Sequence, residues 1–162
     1  MAGVPAELTD IETRADCERL VRAFYGRALT DDMIGYLFVD IAKLDLEAHV
    51  PQITSFWETI LLGAQSYHGG AFRAHVALNA QSRLRAGHFE RWLTLWRRTV
   101  DELFAGDRAE LAKAHATRVA RAFHSRLQSL PSAEDAPPGV DGLLVTQHNL
   151  FGDPPAAGPA SR

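Results

Sequence analysis

A chain of 162 residues, 46% apolar and 23% charged, has the length and composition of one soluble globular domain with some chain to spare. Its 17 basic and 20 acidic residues leave a net charge of −3 with no long block of one sign, which argues against nucleic acid or an anionic membrane as a charge-selected partner. No apolar run approaches the ~20 residues that cross a bilayer, and the opening MAGVPAELTD has neither the basic start nor the apolar stretch of a leader. The single cysteine, Cys17, cannot form an internal disulfide, so the expected location is the cytoplasm.

No segment alternates apolar and polar residues long enough to read as a strand, and several show helical spacing, so the fold class expected is all-α. Thr13-x-x-Asp16 predicts a helix start of the capping-box kind, followed by the stripe Leu20, Val21, Phe24, Tyr25 and Ala28. Thr30-Asp31-Asp32 opens a short second piece that ends near Leu37-Phe38. Leu46, His49, Val50, Ile53, Trp57, Ile60 and Leu61 then share one face over four turns, and Gly63 is a stop. Pro51 falls inside that pattern and is expected in the first turn, where a missing N–H matters little.

A loop, Tyr67-His-Gly-Gly, leads to a short apolar piece from Phe72 to Leu78, then a polar stretch from Asn79 to Gly87. The strongest periodicity follows in Phe89, Trp92, Leu93, Trp96, Thr99, Val100 and Leu103, with Gly106 as its stop. A last helix is expected from about Asp107 to Leu130, with Leu111, Val119, Phe123 and Leu127 inward. Residues 10–130 are thus the expected folded domain. Residues 131–162, rich in Pro, Gly and Ala, are expected to have no fold of their own. Within them Gly142-Leu-Leu-Val either docks on the body or binds a partner, and the sequence does not choose.

Taken singly, His49 and His75 read as core or boundary histidines, and Tyr25 and Trp92 as inward aromatics. One all-α core would bury all four together, and each buried polar group without a partner costs on the order of 1–3 kcal/mol. Their convergence points to a core that holds something polar. Zinc is a weak candidate, because His49 and His75 are 26 residues apart with no Cys or Glu at ligand spacing nearby. Haem is a better one, needing one neutral imidazole and an apolar slot. Phe38, Ile53, Trp57, Phe72, Leu78, Phe89 and Trp96 would line that slot.

Phe24-Tyr25, His49…Phe56-Trp57, Leu61-Leu62-Gly63, Tyr67-His68-Gly69, His75 and His88-Phe89-x-x-Trp92-Leu93, in that order and spacing, resemble the truncated haemoglobins of the third group, from about Phe24 to Phe123. The resemblance implies a globin-like, two-over-two helical sandwich around one haem b, with His75 as the iron ligand. It places Tyr25, His49 and Trp92 in the distal pocket as the residues of any chemistry there, Phe38 against the ring, and Ile53 with Phe56-Trp57 over the distal face. That group lacks the paired-glycine corners of its sister groups, so Gly69-Gly70 is not that motif. Pro51, two residues after His49, departs from the pattern, and a tilt of that helix start would move the imidazole in or out of the pocket.

Dioxygen, with nitric oxide and carbon monoxide, is the ligand class implied, held by donors from Tyr25 and Trp92 and released slowly. Chemistry on nitric oxide (a dioxygenase) or on peroxide (a peroxidase-like activity) stays open at this point, with His49 as acid and base or as an outward-swinging gate. An unidentified reductase would serve either activity, and a monomer or weak dimer is expected. Arg73 and His68 are candidates for the haem propionates, an arginine being suited to carboxylates. His88 opens the fourth helix, His115 and His124 are read as surface or boundary positions, and His148 lies in the tail. The alternative of another class is a haem-free helical bundle that binds a protein partner.

Overall fold

The computed structural model describes residues 6–135, and these are all helix, turn and loop, with no strand among them. Five α-helices carry the fold: α1 Arg14–Ala28, α2 Leu46–Leu62, α3 Ala71–Gln81, α4 Ala86–Leu103 and α5 Asp107–Leu127. A five-residue π turn, Leu37–Ile41, lies between α1 and α2, and a 3-10 turn, Ala133–Asp135, follows α5. The helices α1 and α2 pack as one pair and α4 and α5 as another, and α1 crosses α4 to join them. This is the two-over-two arrangement expected.

Local chemistry sets the boundaries. The capping box of α1 is complete: Thr13 Oγ1 accepts from the Asp16 amide at 3.2 Å, and Asp16 Oδ2 accepts from the Thr13 amide at 3.1 Å. Asp45 caps α2 through the Ala48 amide at 3.3 Å, and Gly63 closes it in the left-handed conformation, φ 72°. Asp10, far away in sequence, caps α5, accepting from the amides of Arg108 at 3.0 Å and Ala109 at 2.9 Å. A side chain at Gly106 would collide with that aspartate, and Gly106 also holds φ 141°. Burial alone would raise the Asp10 pKa, and the amide donors of Arg108, Ile11 and Ala109 outweigh it, leaving the carboxyl below its ordinary range.

The core is aromatic. Trp96, 1% exposed, stacks on Trp57 at 4.4 Å and on Trp92 at 5.8 Å, and its indole N–H donates to the Ala112 carbonyl at 3.2 Å. Phe24 meets Tyr25, Trp92 and Trp96 edge-on at 5.1–5.6 Å. Ile11, Leu20, Val50 and Val100 fill the spaces between. Asp31 then fastens the segment after α1 to α4, accepting from Arg91 at 2.7 and 2.9 Å and from the Met33 and Ile34 amides. Hydrogen bonding by Arg91, aided by those amides, holds its carboxyl below the usual range.

Four expectations need correction. Pro51 is not in the first turn of α2, which starts five residues earlier at Leu46, because Asp45 supplies the cap there. Helix α3 runs on to Gln81, past the expected end at Leu78. Helix α5 stops at Leu127 rather than Leu130. Leu111 is 37% exposed rather than inward, since Ala109, Ala112, Ala116 and Ala120 form the buried stripe of α5. The described chain also continues beyond 130, where Glu134 and Asp135 pair with Arg85 and Arg83. The Gly142 patch and His148 lie outside the described residues.

Candidate functional site

An apolar cavity opens between the two helix pairs, enclosing about 1240 Å³ of empty space with its mouth included. Every major element contributes a wall. Tyr25 comes from α1, Leu37 and Phe38 from the π turn, and Gln52, Ile53, Phe56 and Trp57 from α2. Ala71, Ala74, His75 and Leu78 come from α3, His88, Phe89 and Trp92 from α4, and Val119, Ala120 and Phe123 from α5. A cleft walled mainly by apolar and aromatic side chains, with few polar groups, is the ordinary form of a small-molecule or cofactor site.

His75 is the polar centre of the α3 wall. Its Nδ1 lies 2.7 Å from the Ala71 carbonyl, and a carbonyl only accepts, so Nδ1 carries the proton. Burial pushes the imidazole pKa down against the opposing effect of that bond, so the ring is neutral near pH 7. The remaining lone pair sits on Nε2, which makes no hydrogen bond among the described residues. The Phe123 ring meets His75 at 4.9 Å and fixes one side of it. A neutral, oriented imidazole on an apolar cavity could hold a metal-centred cofactor.

Tyr25 and Trp92 line the same cavity. Burial pushes the Tyr25 phenol pKa up, so the hydroxyl stays protonated and available as a donor. Its ring is held edge-on between Phe24 at 5.1 Å and Phe38 at 5.7 Å. Trp92 is pinned between Phe24 and Trp96, with its indole N–H as a second donor. Gln52 adds a polar group that sequence reasoning missed, and its Oε1 is buried with no hydrogen-bond partner among the described residues.

The structure brings eight of the expected site residues to this cavity: Tyr25, Phe38, Ile53, Trp57, His75, Leu78, Phe89 and Trp92. Four stand elsewhere. His49 is buried in α2 but does not line the cavity, and its Nδ1–H donates to the Asp45 carbonyl at 2.7 Å. Phe72 packs behind Phe123 at 5.2 Å and under the Arg126 guanidinium at 3.8 Å. Arg73 is exposed and pairs with no carboxylate among the described residues. Trp96 is core, one layer deeper than Trp92.

His68 is exposed, and His88, given no role from the sequence, lines the cavity. The Arg85 amide donates to its Nδ1 at 3.0 Å, so in the neutral ring the proton is on Nε2, which lies 3.1 Å from the Tyr36 hydroxyl oxygen. Burial, then Arg85, lowers its pKa. Phe123 was legible as an inward residue of the last helix. Tyr67, Leu84 and Gln52 gave no periodic signal of their own.

No three His, Cys, Asp or Glu side chains come together to hold a metal ion among the described residues, so a zinc site has no ligand set there. The donor set does fit a haem. One imidazole suffices because the porphyrin supplies the other ligands, and the walls are apolar and aromatic.

The fold and this cavity define a class: the chain has the truncated-globin fold, a short globin with two helix pairs stacked two over two. Among solved structures it matches the group III truncated haemoglobin from Campylobacter jejuni, with a TM-score of 0.65 and 22% identity, covering 75% of this chain and 95% of that one. No family model matches the sequence, and no curated protein matches it. No helix among the described residues is long and apolar enough to cross a membrane.

Proposed function

We propose that this chain is a haem protein that binds dioxygen and other small diatomic ligands such as nitric oxide and carbon monoxide. The observation that carries the reading is His75: neutral, oriented by Ala71, on an apolar cavity, and with no hydrogen bond at Nε2 among the described residues. The likeness in fold to a haemoglobin supports the same reading. When bound, haem b would supply the iron at which such ligands are taken up. His75 would hold it, Phe38, Ile53, Leu78 and Phe89 would flank it, and Trp57 with Trp92 would close one side.

The chain's own residues govern the fate of a bound ligand. Tyr25 of α1 and Trp92 of α4 would offer donors in a cavity where water competes poorly, so a ligand that gathers negative charge is retained. Slow release argues for reactive chemistry on nitric oxide or peroxide ahead of oxygen storage. Such chemistry needs electrons, hence a reductase partner. His49 enters this scheme only if it leaves its seat beside Asp45, and Gln52 is the polar α2 residue already on the cavity.

The test is direct. Purified protein, or apoprotein given haemin, is expected to be red with a strong Soret band that His75→Ala abolishes or shifts. A colourless protein that takes up no haemin would overturn the proposal in favour of a haem-free helical bundle.

A further inference from the structure

We infer that Tyr67 is a positioning residue for His75, acting through Ala71. This rests on the reading of His75 Nε2 as the ligand atom and extends it to what aims that atom. Helix α3 begins badly. Its N-cap, Gly70, has no side chain to offer, and Gly69 and Gly70 hold φ 89° and 105°, so the loop before the helix is built from the two least restrained residues available. A helix start leaves its first amides without partners, and such an end frays.

The phenol of Tyr67 takes the place of the missing cap. Its oxygen accepts from the Ala71 amide at 2.8 Å. Ala71 is the first residue of α3, and its carbonyl is the group that accepts from His75 Nδ1 at 2.7 Å. Ala71 is therefore clamped on both sides, by a phenol in front and an imidazole one turn behind. Tyr67 is itself held: its ring meets Phe56 edge-on at 5.1 Å, and Phe56 belongs to α2. The result is a continuous linkage from α2, through Tyr67 and Ala71, to the His75 imidazole. All four side chains along it, counting Ala71, line the cavity.

The consequence is specific. The Ala71 carbonyl decides which nitrogen of His75 carries the proton and which way the ring faces. If the first turn of α3 loosens, that carbonyl moves, and the proton on Nδ1 loses its acceptor. Loss of the Tyr67 hydroxyl should therefore disturb His75 first and the rest of the protein later.

Tyr67→Phe separates the two, because the ring keeps its packing on Phe56 and only the acceptor is lost. In nitrogen-resolved NMR of the apoprotein, the wild type is expected to show one His75 tautomer with a slowly exchanging Nδ1–H. In Tyr67→Phe that proton should exchange about tenfold faster, with both tautomers populated. Thr13→Ala, which uncaps α1, serves as the control: it lowers overall stability and should leave His75 as in the wild type. In haemin-loaded, reduced protein, the iron–histidine stretching band should shift or broaden in Tyr67→Phe alone. Wild-type proton exchange and an unchanged band in Tyr67→Phe, or an equal disturbance by Thr13→Ala, would overturn the inference. If the protein takes up no haemin, the functional reading fails and the NMR comparison still decides the role of Tyr67.

Discussion

His49 on α2 and His75 on α3 make the same local bond: each donates from Nδ1 to the carbonyl four residues back, at 2.7 Å in both cases. The bond is a helical device that fixes tautomer and ring direction, and it says nothing of function. What differs is the surroundings. His75 stands on a helix that lines the cavity with Ala71, Ala74 and Leu78, and its Nε2 makes no hydrogen bond among the described residues. His49 lies on a turn of α2 outside the cavity wall, and the residues that reach the cavity from that helix are Gln52, Ile53, Phe56 and Trp57. What a histidine can bind depends on what it faces.

The largest expected effect breaks the symmetry between them. His75→Ala should lower haemin affinity by at least on the order of a hundredfold, since loss of even an outer partner of a metal ligand costs 10–100-fold. His49→Ala should change it by less than about threefold on the same scale, corresponding to less than ~0.7 kcal/mol. Titration of each apoprotein with haemin, followed at the Soret band, gives both numbers. Comparable losses in the two variants would mean that His49 belongs to the site after all.

The next effect tests the donor that α1 brings to the cavity. Tyr25→Phe keeps the edge-on contacts with Phe24 and Phe38 and removes one donor, worth ~0.5–1.5 kcal/mol, so dioxygen should leave about threefold to tenfold faster. Flash photolysis or stopped-flow displacement measures that rate, and an unchanged rate would remove Tyr25 from ligand retention.

How much of this was legible in the sequence depends on the range of the signals. The α1 capping box, the Gly63 stop and the stripe of α4 are local, and residues a few positions apart state them. The cavity face of α3 is less readable, because two of its four positions are alanines. Hydrophobic periodicity weighs large side chains, so Phe72 drew attention to a face that packs on Phe123 and Arg126 instead. Trp92 and Trp96, one turn apart, look equivalent on a helical wheel, yet Trp96 packs against Ala112 of α5 and is sealed in. Convergence of Tyr25, His75 and Trp92 depends on contacts between distant elements; the expectation of one shared core anticipated it, but wrongly drew His49 and Trp96 to the cavity as well. Gln52 could not be seen at all, since one polar residue on a helix is usually a solvated one.

A third effect is a gain. Oε1 of Gln52 is buried with no partner among the described residues, and an orphaned acceptor costs ~1–3 kcal/mol. Gln52→Leu should therefore stabilise the apoprotein by about 1 kcal/mol, raising its melting temperature by a few degrees. Differential scanning calorimetry without haemin reads this free of any ligand effect. A drop in melting temperature would show that the amide is satisfied in solution and contributes to packing.

The smallest effect is a slope with pH. Burial lowers the His75 pKa in the folded chain below its unfolded value of ~6.5. Between the two values the unfolded chain binds more protons than the folded one, so stability falls as the solution is acidified through that window. Above ~6.5 the contribution is complete, because both states hold the neutral ring. Burial also lowers His88 and His115, which act in the same direction. Urea denaturation of the apoprotein should therefore show midpoints that decline from pH 7.5 toward pH 5, by less than the effect of Gln52→Leu for any one histidine. In His75→Ala the decline should be shallower, since one of the three groups is gone. An equal decline would place the titrating ring elsewhere, and His75 would no longer count as a ring held neutral for a ligand.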